Sequence, residues 1–396
     1  MARACGPIRV LSIGHSYAIA LNRATIRTLA ADSRFDVVLA APKVLDGDLR
    51  RVRLEPEPKT SPLAVIGIDA TFTRYHALLE YDAARLRRLV ASRDFDVVYA
   101  WVEPWTLAAR QIVAALERST AQFCFWTAQN IAADYPTPFR DIERQVVARA
   151  DRWLAAEELV LHTQIARGYP ADSGAVLYLG VDTSLFTPGT PGARQAVLRE
   201  LELRPPVIGF LGRLVEEKGL DVAMAALERL DGSLRWSLLV MGSGPYEPAI
   251  RAWARRRGCS KRVKIRLLRH ERVPRYLAAV DLLLVPSQTR VHWREQFGRA
   301  VVEAFAAGVP AIVSDSGALP RTAGDAARLV NEADAGAWAA AIADLLGDAS
   351  ARAELSRRGR QRAQRFSTTT VAGELADVFT AMSASRARRR PRQRRA

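Results

Sequence analysis

The stretch IGFLGRLVEEKGLD (208–221) reads as the end of a buried strand, a turn at Gly212 and Arg213, and a helix opened by Lys218 and Gly219. An apolar run of strand length, then a glycine turn, then a helix is the opening of a parallel-sheet unit. Outward from it, WSLLVM (236–241), VKIRL (263–267), DLLLVP (281–286) and VPAIVS (309–314) predict further strands separated by helical segments. The same alternation runs upstream, with strands predicted at IRVLSI (8–13), FDVVLA (35–40), FDVVYA (95–100) and AQFCFW (121–126). Helices are expected near 19–30, 105–116 and 138–149. Apolar strands spaced by helices build an open parallel sheet covered on both faces, here twice. PGTPG (188–192), whose prolines and glycines suppress helix and strand, is the expected linker. The fold class is therefore α/β, with two Rossmann-like, doubly wound parallel-sheet domains predicted at 1–187 and 206–365 around a linker at 188–205. Facing each other, they would form an interdomain cleft at the carboxyl ends of their strands, where ligands of this architecture bind.

At 396 residues the chain is long enough for two full cores, and 49% hydrophobic with 25% charged residues is ordinary for a globular protein. No apolar stretch reaches membrane-span length. The first strand is too short and too abruptly ended for a signal peptide, so a cytoplasmic location is expected. Cys5, Cys124 and Cys259 are far apart and lack metal-ligand spacing, which fits reduced thiols. The net charge is +16; seven arginines lie between Arg386 and Ala396, leaving +9 for the body. An Arg-rich tail of this kind, expected to be disordered over 384–396, fits an anionic membrane surface or non-specific nucleic acid. No base-reading groups accompany it, so no specific nucleic acid is expected.

Three phrases carry the chemistry. After the first strand of the second half, Gly212, Arg213 and Lys218 combine a small-residue turn with two cations, a combination that attracts phosphate. Gly242 and Gly244 repeat the glycine turn after the next strand. In REQFGRAVVEAFAAGVPAIVSD (294–315), Glu295 falls in a loop, while Glu303 belongs to a helix starting near Phe297 and Gly298. The N–H groups of Phe297 and Gly298 would face a diphosphate. Glu295 would accept hydrogen bonds from sugar hydroxyls, and Glu303 from a ribose. Cations beside hydroxyl acceptors are what a nucleotide sugar requires.

These phrases resemble the donor domain of the retaining glycosyltransferases of family 4, the group 1 glycosyltransferases of GT-B fold, and AVLYLGVDTSLFTP (175–188) extends the likeness upstream. The resemblance implies that Arg213 and Lys218 bind the donor diphosphate, Glu295 the donor sugar and Glu303 the ribose. It also implies that a C-terminal helix over 366–383 crosses back to the first domain. Hexosyl transfer from a nucleotide diphosphate sugar to a glycan or lipid-linked acceptor is expected, with retention, no cofactor and no metal. The pathway would be exopolysaccharide, glycolipid or envelope glycan assembly on the inner face of the membrane. The alternatives are a nucleic-acid-associated basic protein, or an epimerase or phosphorylase on the same fold.

In the first half, Gly14 and His15 follow the first strand, where the resemblance places a glycine loop near donor phosphate and acceptor. Glu103 ends another strand, and Gln129 and Asn130 follow a third; all are acceptor candidates. Gln129 stands where many relatives carry a histidine, and an amide orients a hydroxyl but cannot act as a general base. Asp94 and Asp96 spell DxD, a metal pattern in a different glycosyltransferase fold, and Asp46 to Asp48 read as a turn. Trp101, Trp105 and Trp126 are expected in the core rather than against sugars.

Overall fold

In the computed structural model, which describes residues 6–47 and 51–393 and side chains as far as 386, the chain divides into two units. The first comprises 1–180 with the C-terminal helix, and the second Val181–Ser367. Cys5, Asp48 and the extreme C-terminus lie outside the described residues.

The first unit holds a seven-stranded parallel sheet. Its order is Gly174–Val176, Arg152–Ala155, Gln122–Thr127, Val97–Ala100, Ile8–Ile13, Phe35–Pro42, Ala64–Ile68. The central strands are buried on both faces because helices cover both, which is why they read as unbroken apolar runs. Beneath one face, Val10, Leu39 and Tyr99 share a core with Val371, Leu375 and Phe379 of the helix Thr368–Gln393.

The second unit repeats the plan with six strands in the order Val263–Arg266, Ser237–Met241, Val207–Leu211, Leu282–Val285, Ala311–Ser314, Arg328–Val330. Numbered in chain order this is 3-2-1-4-5-6, the dinucleotide-binding arrangement, with its switch point between Val207–Leu211 and Leu282–Val285.

Two sequence expectations are corrected. The 188–205 segment is not a linker: Pro191–Glu200 is a helix within the second unit, with Thr190 accepting from the Ala193 N–H at 3.2 Å. Proline at the first helical turn loses no hydrogen bond, so PGTPG begins a helix instead of preventing one. The tail is not disordered from 384, since the helix continues to Gln393 and Arg386 is buried. Its guanidinium reaches Asp94 and Thr120, each at 2.6 Å, and Asp96. Arg9 pairs with the same two aspartates. The DxD pattern is thus an arginine clasp at the amino edge of the sheet, occupied by two guanidinium groups.

Candidate functional site

At the switch point of the second unit, the loop after Val207–Leu211 carries Gly212, Arg213 and Lys218, and the loop after Leu282–Val285 carries Ser287 to Glu295. The fold joins them. Lys218 Nζ donates to Glu295 Oε2 at 2.5 Å, and Ser287 Oγ donates to the same oxygen at 2.7 Å. The Trp293 ring covers the ammonium at 4.8 Å. Burial pushes the Glu295 carboxyl up, yet Lys218, Ser287 and Arg213 together hold it below its ordinary range. The result is an ionised carboxylate beside a cation in a site largely closed to water. Arg213 is more open, with one nitrogen 3.5 Å from Glu217.

The glycine turns are laced together. Gly212 N donates to Met241 O at 3.0 Å, and Leu214 N to Ser243 O at 2.9 Å. A β-carbon on Gly242 would strike the Gly212 carbonyl, and one on Gly244 the Leu214 carbonyl, so the backbones meet with no room between them. Gly298 caps the helix Arg299–Ala306, and the Phe297 carbonyl before it accepts from Thr322 Oγ1 at 2.6 Å.

Glu303, one turn further along this helix, is 3% exposed. Burial, only partly offset by Arg299, pushes its carboxyl up to about 7. His270 Nε2 lies 3.6 Å from Glu303 Oε1, and among the described residues neither atom has a hydrogen-bond partner. Burial, with Arg299 beside it, takes the His270 imidazole down to about 4. Between these values both groups are neutral.

Ser287, Trp293, His270 and Gly317 are site residues that the sequence reading missed. Ser287 had a signal, since it directly follows the buried strand. Gly317 has φ +55°, and its β-carbon would collide with the Glu295 carbonyl, which accepts from Ala318 N at 2.9 Å. It therefore fixes the backbone that aims Glu295.

In the first unit, His15, Glu103, Gln129 and Asn130 all come to the carboxyl edge of the sheet. Gly14 is extended and presses against Tyr17 and the Trp101 carbonyl. Burial, with His76 nearby, lowers His15 to about 4. Glu103 is engaged internally: its oxygens accept from Thr127 Oγ1 at 2.5 Å and Ala128 N at 2.9 Å, tying two strand ends together. Gln129 donates to Tyr135 OH at 2.8 Å, and its carbonyl accepts from Gln164. Trp105 stacks on Tyr135 at 4.6 Å and meets His76 at 5.0 Å. Trp101 and Trp126 pack against each other. Among the described residues no three His, Cys, Asp or Glu side chains converge as a metal-binding set.

Residues 197–362 match the model of the family described as glycosyl transferases group 1. A D-inositol 3-phosphate glycosyltransferase of Xylanimonas cellulosilytica is 31% identical over 323 residues, covering 75% of this chain and 73% of the relative. Among solved structures, Anabaena Alr3699/HepE in complex with UDP superimposes with a TM-score of 0.73 at 17% identity, over 94% of this chain and 100% of that one. Its complex with UDP-glucose gives 0.72 at 17% identity, over 94% and 99%.

Proposed function

The chain belongs to the group 1 glycosyl transferases, and from that premise we propose that it moves a hexosyl group from a nucleotide diphosphate sugar to an acceptor hydroxyl with retention at the anomeric carbon. The observation that carries this reading is the buried Lys218–Glu295 pair beside laced glycine turns at a sheet switch point. Lys218 and Arg213 neutralise charge on the departing diphosphate, the role a divalent ion would otherwise fill, so the reaction is metal-independent. The N–H groups at Phe297 and Gly298 add the helix dipole to this field. Glu295, kept ionised, accepts hydroxyl hydrogen bonds from the transferred sugar. Glu303 offers its unpartnered oxygen to the ribose hydroxyls. With no side chain assigned as a covalent nucleophile, the acceptor hydroxyl attacks on the face from which the diphosphate leaves and passes its proton to that leaving group. The Anabaena structures hold UDP and UDP-glucose, which makes a uridine donor the first to test.

His15, Gln129 and Asn130 form the acceptor end. Gln129 orients a hydroxyl without taking its proton. The acceptor is a glycan or a lipid-linked saccharide in envelope glycan assembly, met at the inner face of the membrane.

Calorimetry with UDP-glucose and its guanosine and adenosine counterparts tests the donor site: one must bind without added metal, and Lys218→Met must abolish that heat. NMR of the product gives the anomeric outcome. An inverted product would refute retention, and product formed without acceptor would favour an epimerase.

A further inference from the structure

Six large hydrophobic side chains stand exposed among the described residues, and three of them, Phe72, Tyr75 and Leu78, lie within seven residues of the first unit at 61%, 59% and 36% exposure. Their segment is the tip of an antiparallel hairpin between Ala70–Thr71 and Glu80–Tyr81. Two consecutive turns, Tyr75 N to Phe72 O at 2.9 Å and Leu78 N to Tyr75 O at 2.8 Å, place the three exposed side chains three residues apart along the tip. Phe72 has φ +52°, a conformation that a bulky residue adopts only under strain. The surroundings hold it there. Thr73 is buried and donates to Asp46 at 2.8 Å, and Leu107 N donates to Ala77 O at 3.0 Å. The fold thus holds an aromatic ring in solvent at an energetic cost.

The hairpin rises from the carboxyl edge of the sheet. It follows the strand Ala64–Ile68 and brings His76 to within 5.9 Å of His15 and 5.0 Å of Trp105, ring to ring. Arg74 is exposed within the ridge, and the adjoining antiparallel strands Val44–Asp46 and Arg51–Arg53, tied to it through Asp46 and Thr73, expose Arg53 and Arg51, the latter 3.4 Å from Asp46. Phe72 and Leu78 carry no group that reads hydroxyls, and a ridge of three side chains is far smaller than a protein–protein interface needs. Exposed apolar side chains at a hairpin tip, with exposed arginines in the same tip and the adjoining strands, suit an anionic bilayer, whose acyl boundary takes the rings while its headgroups meet the guanidinium groups.

We propose that the Phe72–Leu78 ridge docks the protein on an anionic phospholipid surface and brings the acceptor end of the first unit to it. This rests on the reading of a membrane-borne acceptor. It assigns the contact to the ridge rather than the basic C-terminal helix, because Arg386 anchors that helix at the opposite, amino edge of the sheet.

The test is flotation of the full chain with phosphatidylcholine vesicles containing about one-third phosphatidylglycerol. The wild type is expected to float, and Phe72→Asn/Tyr75→Ser to partition about 10- to 100-fold less. Phe72→Trp, which keeps an interfacial ring, should float like wild type, and removal of 388–396 should leave most binding in place. Turnover on a soluble acceptor should be unchanged in the double variant. Failure of the wild type to float, equal flotation of the double variant, or a double variant that floats but no longer uses a soluble glycan would each overturn the proposal. A wild type that floats yet transfers from no nucleotide sugar would sink the enzymatic reading and leave the ridge standing.

Discussion

Glu303→Gln is expected to stabilise the protein at neutral and alkaline pH while weakening the ribose contact proposed for it. The carboxyl is buried, and burial raises it from 4.5 to about 7 against the pull of Arg299. Below about pH 4.5 it is protonated in the folded and unfolded chain alike. Between there and about 7 only the unfolded chain releases the proton, so the folded state loses stability as pH rises, and above 7 the loss is complete. A span of about 2.5 pH units at ~1.4 kcal/mol each gives about 3.5 kcal/mol. His270 acts in the opposite sense. Its imidazole is depressed from 6.5 to about 4, so folding gains stability with rising pH across that window. The two slopes largely cancel in the wild type, which hides both. Glu303→Gln removes one of them. Relative to wild type, the variant should gain about 3.5 kcal/mol at pH 8, which for a unit of this size raises Tm by roughly 7–14 °C. At pH 5 the gain should shrink to about 1–3 °C. Scanning calorimetry at both pH values measures this, with a UDP-glucose titration to show the weaker binding. A Tm difference that is the same at pH 5 and pH 8, or a variant less stable at pH 8, would refute the reasoning.

Three further outcomes follow from particular contacts. Lys218→Ala strands the buried Glu295 carboxylate and should cost about 3–5 kcal/mol, whereas Lys218→Met with Glu295→Gln should melt near wild type yet transfer nothing; urea denaturation and turnover together separate folding from chemistry. Arg386→Ala removes a buried guanidinium from Asp94 and Asp96, which also meet Arg9, and should lower stability by about 2 kcal/mol, while truncation after 387 should not, as chemical denaturation of each will show. Gly317→Ala forces a β-carbon onto the Glu295 carbonyl and should weaken donor binding at least tenfold by calorimetry, with Ala318→Gly as the control that changes a neighbouring side chain without that collision.

What the sequence reveals here follows from how many neighbours each element has. Strands flanked on both sides and covered on both faces, such as Val97–Ala100 and Leu282–Val285, must be apolar throughout, and they read directly. The edge strand Arg328–Val330 has one neighbour, exposed positions and only three residues, so it is too short to show a pattern; Ala64–Ile68 is apolar throughout, and the sequence reading passes over it nonetheless. The same logic divides the site. Lys218 and Glu295 are legible because a cation and a carboxylate at strand ends have few other uses. Their contact across 77 residues is a product of strand order, which periodicity does not encode. Gly317 is silent for a related reason: its role is the space it leaves beside a carbonyl distant in the chain. Arg386 shows the converse error. Seven arginines in the last eleven residues make a composition that resembles a solvated tail, yet one of them finds two carboxylates and a hydroxyl and becomes part of the fold. Composition reports the average of a segment, whereas a single buried side chain is decided by its partners, and those partners belong to the tertiary structure.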